Sequence, residues 1–484
     1  MLELGGEAAL AVGVPRGDEA RTTQRRDLTW KQVETMTRED ALVEGTLTAG
    51  DLERLRKDFS ANPVYRLAQN AVTRVTVDDV TINREIVSRI DHSVSTTLDD
   101  WKVTNQEQSG RCWLFAGLNL LRVGVMRKGG LKEFEFSQNY VMFWDKLERA
   151  NYFLEAVIET ADRDLDDRTV AYLLESAASD GGQWNMFAAL VAKYGLVPKG
   201  YMPETQSSSD TARMNSILRY QLRQGARTVR AAAAEGPEAA RAVKAEIMEV
   251  VYRILCIHLG TPPERFDWQW TDKDKKFCRD GVLTPQEFAA SYVDLPVSEY
   301  VCLVNDPRPS SPAGRTFTVE YLGNVIGGPP VIYLNVGMQV IKDVAAATIQ
   351  GGEPVWFGCD VGKMMSNEYA FWDAGLYDLP SVYDTAFDLD KAARLAYHES
   401  AMTHAMLFTG VDVLDGVTRR WRVENSWGSD RGKDGFFTMN DSWFSQYVFE
   451  IAARKSALAA DLQSALDAEP IVLPAWDPMG ALAR

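Results

Sequence analysis

The chain has 484 residues, of which 46% are hydrophobic and 25% are charged. This ordinary globular composition excludes a wholly disordered protein, and the length allows roughly three domains of about 150 residues each. The formal net charge of −16 repels phosphate backbones and therefore disfavours nucleic-acid binding.

The first half of the chain is predicted to be rich in helix. Residues 1–35 have the composition of a poorly ordered extension, residues 36–205 that of a helix-rich lobe, and residues 206–305 that of a helical insertion. The predicted helical segments are 51–70 with a turn at 62–63, 112–126, 137–154, 170–194, and 211–260 with a break at 236–237. Residues 206–215 are predicted to form a loop because they are rich in Ser, Asp and Thr.

The character of the chain changes after Pro307, where apolar runs predict strands. The runs cover residues 317–321, 331–336, 354–359, 405–414, 420–425 and 436–439. Residues 306–455 are therefore assigned to a strand-rich, β-barrel-like lobe. Residues 456–484 are assigned to a C-terminal tail, whose last part is predicted to be extended because it contains prolines and a glycine. A helix-rich half followed by a strand-rich half predicts an α+β fold with two lobes.

The cysteines indicate the cellular compartment. There are five, at positions 112, 256, 278, 302 and 359, and this odd, widely spaced set predicts neither a disulfide framework nor a zinc site. The sequence also lacks a basic signal-peptide region and any apolar run of about 18 residues. We therefore expect reduced thiols, a cytoplasmic location, no membrane span, and no metal or cofactor.

Cys112 has the most reactive setting of the five cysteines. The turn Ser109-Gly110 leads directly into an apolar helix, and Cys112 falls in its first turn. Backbone N–H groups there lack helical partners and the helix dipole is positive, so both favour a thiolate over a thiol. The sequence thus predicts that Cys112 is a nucleophile.

A thiol nucleophile needs a base, and the base needs an orienting group. His404 begins an apolar strand, and Asn425 follows within Glu424-Asn-Ser-Trp-Gly428. The Asn425 amide can accept from the imidazole N–H without carrying charge. Gln106, shortly before Cys112, can donate its amide N–H to the oxyanion of a tetrahedral intermediate. Cys112, His404, Asn425 and Gln106 are the predicted catalytic residues.

These motifs resemble the papain superfamily of cysteine peptidases, and within it the bleomycin hydrolase / aminopeptidase C family. The resemblance extends over residues 36–484. It is carried by NQEQSGRCWLFA at 105–116, FSQNY at 136–140, DGGQW at 180–184, ENSWG at 424–428 and PAWDPMGALA at 474–483.

The resemblance implies a papain-like, two-lobed fold with helical insertions and a homohexamer whose active sites face a central channel. It implies a cytosolic aminopeptidase that acts on peptides with a free N-terminus, with bleomycin-type amide hydrolysis as a side activity. Gly181 and Gly182 would then bind substrate, the backbone of Gly182 pairing with the extended peptide.

The resemblance also implies that the C-terminal segment lies in the cleft. A terminal carboxylate there would hold the substrate ammonium and exclude longer peptides. We expect that Arg484 is removed and that Ala483 becomes the acting terminus, although a retained Arg484 is the alternative. Acyl transfer to an amine, nucleic-acid binding and a structural barrel with an inactive site are alternative functions.

Overall fold

The computed structural model describes residues 45–98 and 101–483. The predicted extension, residues 1–35, and Arg484 lie outside the described residues. The chain divides into two compact units, of which the first ends at Arg74 and the second begins at Val75.

The described part of the first unit is a pair of helices, α1 (Ala49–Ala61) and α2 (Pro63–Val72). Thr48 and Asp51 form a capping box at the start of α1. The Asn62 side chain caps α2, and Pro63 occupies the first turn of α2, where its missing N–H has no cost. The predicted turn at 62–63 is thus the junction of two helices.

The second unit contains the remaining helices. They are α3 (Val77–Thr81), α4 (Arg84–Val87), α5 (Cys112–Gly129), α6 (Gln138–Glu159), α7 (Arg168–Glu175), α8 (Trp184–Tyr194), α9 (Gln206–Ser209), α10 (Ala212–Ala233), α11 (Pro237–Leu259), α12 (Pro285–Tyr292), α13 (Met338–Gln350), α14 (Leu379–Tyr383), α15 (Lys391–Ala396), α16 (Asp441–Tyr447) and α17 (Ala460–Ala465). Short 3₁₀ turns lie at Lys199–Tyr201, Val297–Glu299, Lys455–Ala457 and Pro478–Ala483.

Two helical predictions need correction. The segment 170–194 is not one helix but α7 and α8, because residues 176–183 form a connection that carries Asp180, Gly181 and Gly182. Residues 206–215 are not a loop, since they contain α9 and the start of α10. The Thr205 side chain caps α9 in a capping box, which explains a helix in so polar a segment.

Residues 206–305 contain more than helix. The long helices α10 and α11 pack against each other and against α6, and the predicted break at Gly236-Pro237 separates them. The antiparallel hairpin of β2 (Phe266–Thr271) and β3 (Phe277–Leu283) follows. The turn of this hairpin contains Lys275, whose φ is 65° and whose N–H donates to the Asp272 carbonyl at 3.0 Å.

The other strands of the described chain are β1 (Thr96–Thr97), β4 (Tyr300–Val304), β5 (Thr316–Val319), β6 (Tyr333–Asn335), β7 (Val355–Cys359), β8 (Met365–Ser366), β9 (Phe371–Trp372), β10 (His404–Leu414), β11 (Val417–Glu424), β12 (Phe436–Asn440), β13 (Val448–Arg454) and β14 (Ile471–Leu473). They form one twelve-stranded sheet in the order β14-β5-β6-β4-β13-β7-β10-β11-β12-β9-β8, with β1 also paired to β10. Helices and sheet together confirm the predicted α+β class.

The central strands separate two hydrophobic cores. Alternate residues of β10 point to opposite faces, so that Ala405 and Leu407 join the core around α5, while Met406 and Phe408 join the core around α13. Burial on both faces explains why the strand appears in sequence as a continuous apolar run. Helix α5 packs against β10, which brings the start of the helix to the start of the strand.

The C-terminal segment is only partly extended. Strand β14 pairs in parallel with β5, but Pro478–Ala483 forms a 3₁₀ turn, which corrects the prediction of an extended end. The Asp477 carboxylate accepts from the Met479 N–H at 2.9 Å, and Met479 and Leu482 are buried. Burial of these apolar side chains favours a coiled end despite the proline.

No helix in the described ranges, 45–98 and 101–483, is both long and apolar enough to cross a membrane.

Candidate active site

Cys112 is the first residue of α5, and its side chain is 4% exposed. The preceding residue, Arg111, gives the helix no side-chain cap. Its guanidinium instead forms a bidentate pair with Glu204, with nitrogen–oxygen distances of 3.1 and 2.9 Å. The N–H groups at the start of α5 are therefore left to face the cysteine sulfur.

Burial raises the pKa of the Cys112 thiol to about 11, while backbone N–H groups of Ala405, Trp113 and Cys112 itself hydrogen-bond the sulfur and act in the opposite direction. The helix terminus thus favours the thiolate, as the sequence predicts, but burial outweighs it. The Ala405 contact places the sulfur beside the residue that follows His404.

His404 is the first residue of β10 and is 5% exposed. Its Nε2 lies 2.9 Å from Asn425 Oδ1, which fixes Nε2 as the protonated nitrogen because the amide oxygen only accepts. Burial lowers the pKa of His404 to about 4, and the bond to Asn425 partly opposes this by stabilising the imidazolium. Cys112 and His404 each favour the neutral form, so their charges would arise together when a proton moves from sulfur to imidazole.

Two further groups fix the Asn425 side chain and the imidazole plane. Asn425 Oδ1 also accepts from the Ser426 N–H at 2.8 Å. The Trp427 ring packs against the imidazole of His404, with ring centroids 5.2 Å apart and ring planes tilted by 36°.

Gln106 lies in the loop before α5 and is 7% exposed. Its Oε1 accepts from the Ser426 hydroxyl at 2.6 Å, and its Nε2 donates to the Ser109 carbonyl at 2.5 Å. The second amide hydrogen of Nε2 remains for another acceptor. The backbone N–H of Gln106 also donates to the Ser426 carbonyl at 2.9 Å. This bond joins the loop before α5 to the segment that carries Asn425.

Asp180 connects the Gly181–Gly182 loop to the loop before Cys112. Its carboxylate pairs with Lys146 at 2.5 Å and accepts from the Gly110 N–H at 3.2 Å and from Asn215 at 2.7 Å. Burial opposes ionisation, but the Lys146 ammonium and the hydrogen bonds hold the pKa of Asp180 well below its usual range. A fixed negative charge therefore positions both loops.

Gly182 lies directly against the ring of Trp113, the neighbour of Cys112. A Cβ at position 182 would lie 2.4 Å from the Trp113 ring, so no larger residue fits without displacement. The Trp113 ring N–H donates to the Asp180 carbonyl at 2.7 Å. The two predicted substrate-binding glycines thus lie beside the predicted nucleophile.

The C-terminal segment reaches the same region. Arg149 donates to the Ala483 carbonyl at 3.2 Å and also to the Gly181 carbonyl. Ala483 is buried and, with Arg149 and Met186, lines a small cavity between α6, α8 and the segment 321–323. Ala483 is therefore joined to the glycine loop through one guanidinium.

Three contributors to this region were missed from the sequence. Ser426 and Glu424 appear in the sequence analysis only as parts of the ENSWG motif, without a role of their own, and Arg149 gives no signal on α6. Glu424, next to Asn425, pairs with Arg122 at 2.7 Å, and these side chains are 1% and 3% exposed. Glu424 is a charged residue at the buried end of β11, next to the buried Val423, and a charge in such a position indicates a buried pair.

Among residues 45–98 and 101–483, no group of three or more His, Cys, Asp or Glu side chains is placed to hold a metal ion.

Comparison with known proteins identifies the family. The Peptidase C1-like family model matches residues 46–480. The chain is 42% identical to human bleomycin hydrolase over 455 residues, covering 90% of this chain and 99% of that protein. It is 42% identical to aminopeptidase C of Listeria innocua over 437 residues, with the same coverage of 90% and 99%.

A solved structure extends the likeness to the fold. The crystal structure of pepw from Lactobacillus rhamnosis superposes with a TM-score of 0.89 at 42% identity, covering 91% of this chain and 100% of that one. The resemblance to the bleomycin hydrolase / aminopeptidase C family is thereby confirmed. The chain has the papain-like peptidase fold and belongs to the Peptidase C1-like family.

Proposed function

We propose that the protein is a cysteine aminopeptidase that releases N-terminal residues from short peptides through an acyl-enzyme. The observation that carries the proposal is the Cys112 sulfur at the start of α5, bonded by the N–H of Ala405, while the adjacent His404 is held by Asn425 at 2.9 Å. These contacts support the assignment of Cys112, His404 and Asn425 as nucleophile, base and orienting amide. The names of the relatives, aminopeptidase C and bleomycin hydrolase, support the same reaction class.

In the first half-reaction, the Cys112 thiol transfers its proton to Nδ1 of His404 and the sulfur attacks the carbonyl of the N-terminal residue. The imidazolium then protonates the leaving amine as the carbon–nitrogen bond breaks. In the second half, neutral His404 takes a proton from water, the hydroxide attacks the thioester, and the free amino acid leaves as the thiol is restored.

The oxyanion is assigned to Gln106 and the start of α5. The unused Nε2 hydrogen of Gln106 and the Cys112 backbone N–H are the proposed donors. Loss of one such donor typically costs about 10²–10³ in rate. The bonds of Gln106 to Ser426 and Ser109 hold the amide before substrate arrives, so little reorganisation is needed.

Selection of a free N-terminus is assigned to the C-terminal segment. Ala483, held beside Gly181 by Arg149, would limit the groove on the side of the substrate N-terminus. We propose further that Arg484 is removed, so that the Ala483 carboxylate can hold a substrate ammonium. An intact mass that retains Arg484 in the mature protein would contradict this step.

We also propose that the protein forms a homohexamer and lies in the cytoplasm. The hexamer rests on the family resemblance, and the location rests on the interpretation of the cysteines as reduced thiols. Sedimentation velocity of the purified chain tests the hexamer, and a monomer at micromolar concentration would refute it.

Bleomycin-type amide hydrolysis is proposed as a side activity, because the same thiol attacks any accessible amide of suitable shape.

The deciding experiment compares an aminoacyl fluorogenic amide with a free amine and the same amide with an acetylated amine. Wild type is expected to cut the free-amine substrate and to cut its acetylated form far more slowly, Cys112→Ala to cut neither, and the control Cys256→Ala to match wild type. Equal cleavage of both substrates would indicate an endopeptidase. Cleavage of neither by folded protein, with product formed only when an amine acceptor is added, would indicate acyl transfer instead of hydrolysis.

A further inference from the structure

Arg149, on α6, makes an unusual set of contacts for one side chain. Its side chain is 12% exposed, and its guanidinium contacts a buried carboxylate, two backbone carbonyls and an aromatic ring. The carboxylate is Asp145, the carbonyls belong to Gly181 and Ala483, and the ring is Trp113. None of the catalytic steps above uses this charge.

The Asp145 carboxylate holds the guanidinium in one orientation through its Nε atom. Arg149 Nε lies 3.0 and 2.9 Å from the two oxygens of Asp145, which is 2% exposed. Asp145 also accepts from Asn324 Nδ2 at 3.0 Å. Because the guanidinium is planar, fixing Nε at Asp145 also fixes the directions in which the two terminal nitrogens can donate.

Those two nitrogens reach two separate parts of the proposed groove. NH1 donates to the Ala483 carbonyl at 3.2 Å, and NH2 donates to the Gly181 carbonyl. The guanidinium carbon lies 5.6 Å from the centre of the Trp113 ring, against which Gly182 packs. One rigid fork therefore sets the distance between the C-terminal segment and the loop beside the nucleophile.

We propose that Arg149 is the positioning residue that fixes where the substrate groove ends, by holding the Pro478–Ala483 turn against the Gly181–Gly182 loop. The inference rests on the proposed aminopeptidase function and deepens it, since it names the group that sets selectivity for a free N-terminus. Arg149 does not contact the reacting atoms. Its loss should therefore change which substrates are admitted more than how fast the bond breaks.

A lysine at this position separates charge from geometry. Arg149→Lys keeps a cation beside Asp145 but presents a single nitrogen that cannot serve both carbonyls in fixed directions. Arg149→Met removes the cation and leaves the buried Asp145 uncompensated, so the double variant Arg149→Met/Asp145→Asn is included to separate mispositioning from misfolding. Arg163→Met is the matched control, because Arg163 pairs with an aspartate four residues away in sequence, Asp167, just as Arg149 pairs with Asp145, but at a partly exposed site.

The first readout is the ratio of kcat/KM for the free-amine amide to kcat/KM for its acetylated form. We expect this ratio to fall at least about tenfold in Arg149→Lys and in the double variant, because the loss of one charge-assisted hydrogen bond has about that effect. In Arg163→Met the ratio should stay at the wild-type value. The fall should come from a gain on the acetylated substrate and a raised KM for the free amine, with kcat little changed. An equal loss on both substrates would reduce Arg149 to a structural residue and overturn the proposal.

The second readout is hydrogen exchange of the amides of residues 478–483, which does not depend on activity. Faster exchange there in the Arg149 variants, with unchanged exchange in α5, is the expected result. Unchanged exchange at 478–483 would overturn the positioning role even if activity falls. If wild type itself cuts both substrates equally, the proposed aminopeptidase function fails. Faster exchange in the variants would then show that Arg149 fixes the position of residues 478–483 without a role in selectivity, and this also overturns the proposal.

Discussion

The Ser426 hydroxyl donates to Gln106 Oε1 at 2.6 Å and so joins the segment that carries the orienting Asn425 to the loop that carries the proposed oxyanion donor. Because the amide oxygen of Gln106 accepts from Ser426, the bond also fixes the direction in which the amide NH₂ group points. The base side and the oxyanion side of the site are thus built from adjacent residues, 425 and 426.

Removal of this hydroxyl should lower kcat and leave KM nearly unchanged. In Ser426→Ala, the Gln106 amide can rotate, and the oxyanion donor is no longer held in place. A neutral hydrogen bond contributes about 1 kcal/mol, so we expect roughly a fivefold to tenfold loss in kcat. Steady-state kinetics on the free-amine amide measure it, with the exposed helix residue Ser464→Ala as the control. A change confined to KM would place Ser426 outside the oxyanion arrangement.

The acid limb of the rate profile should lie near pH 4 in wild type. Burial lowers the pKa of His404 to about 4, so the imidazole stays unprotonated, and able to act as a base, at all higher pH values. In Asn425→Asp, a carboxylate would stabilise the imidazolium and raise the pKa of His404, so the acid limb should move up by about one unit or more. In Asn425→Ala, the limb should not move up, because the bond that favours the imidazolium is lost. Profiles of kcat/KM from pH 3 to 8 decide, and an upward shift in the alanine variant would contradict the assigned bond.

The pair formed by Arg122 and Glu424 should stabilise the fold only as a pair. Both side chains are buried, and Glu424 also accepts from Asn119 at 2.8 Å. Arg122→Met would leave a buried carboxylate without its cation, at a cost of about 3–5 kcal/mol in the free energy of unfolding. Adding Glu424→Gln should recover part of that loss, because no charge then remains uncompensated.

Urea unfolding of the single and double variants measures this coupling. The pair of Arg241 and Glu155 gives the control, because the arginine is 58% exposed and Glu155 also pairs with Lys244, so Arg241→Met should cost less than about 1 kcal/mol. Equal losses in Arg122→Met and in the double variant would show that the carboxylate is not the source of the cost.

A methyl group at position 182 should damage the site through Trp113. In Gly182→Ala, the added Cβ would lie 2.4 Å from the ring, so either the ring or the glycine loop must move. Overpacking of this kind costs about 1–3 kcal/mol, and the displaced Trp113 adjoins the nucleophile, so kcat/KM should fall as well. Gly362→Ala, where the added Cβ meets open space, is the matched control. Wild-type activity in Gly182→Ala would contradict this prediction, because it would mean that the Gly181–Gly182 loop moves to accommodate the methyl group without displacing Trp113.

The sequence predicted those parts of the site whose chemistry lies in short motifs. Cys112 after a turn, and Asn425 before a tryptophan, can be recognised because local residues create their surroundings. The break between α7 and α8 was missed, because apolar spacing continues on both sides of it and the connection is fixed by the distant Lys146–Asp180 pair.

Arg149 could not have been identified from the sequence. Its bond to Ala483 joins positions 334 residues apart, and an arginine followed by ordinary helix residues on α6 gives no sign of it. The coiled end at Pro478–Ala483 was missed for a similar reason, since burial against distant segments outweighs the local preference of proline and glycine.

Glu450, on β13, should make the protein less stable as the pH rises. Its side chain is 0% exposed, and burial raises its pKa to about 8, although the Cys302 thiol beside it acts in the opposite direction. The folded-state pKa of Glu450 is thus above the unfolded value of 4.5. The stabilisation of the folded state by the proton bound to Glu450 is therefore fully present below pH 4.5 and is lost as the pH rises toward 8. Within that window, the free energy of unfolding should fall by up to about 1.4 kcal/mol for each pH unit from this one group.

Glu450→Gln removes the ionisable group and keeps the shape, so its advantage over wild type should grow from pH 5 to pH 8. Urea unfolding at several pH values measures it, with the exposed Glu469→Gln as the control that should follow wild type throughout. A constant difference between Glu450→Gln and wild type across this range would contradict a protonated carboxyl in the folded core. The glutamate would then be ionised at neutral pH, and its burial on β13 would require a compensating positive group.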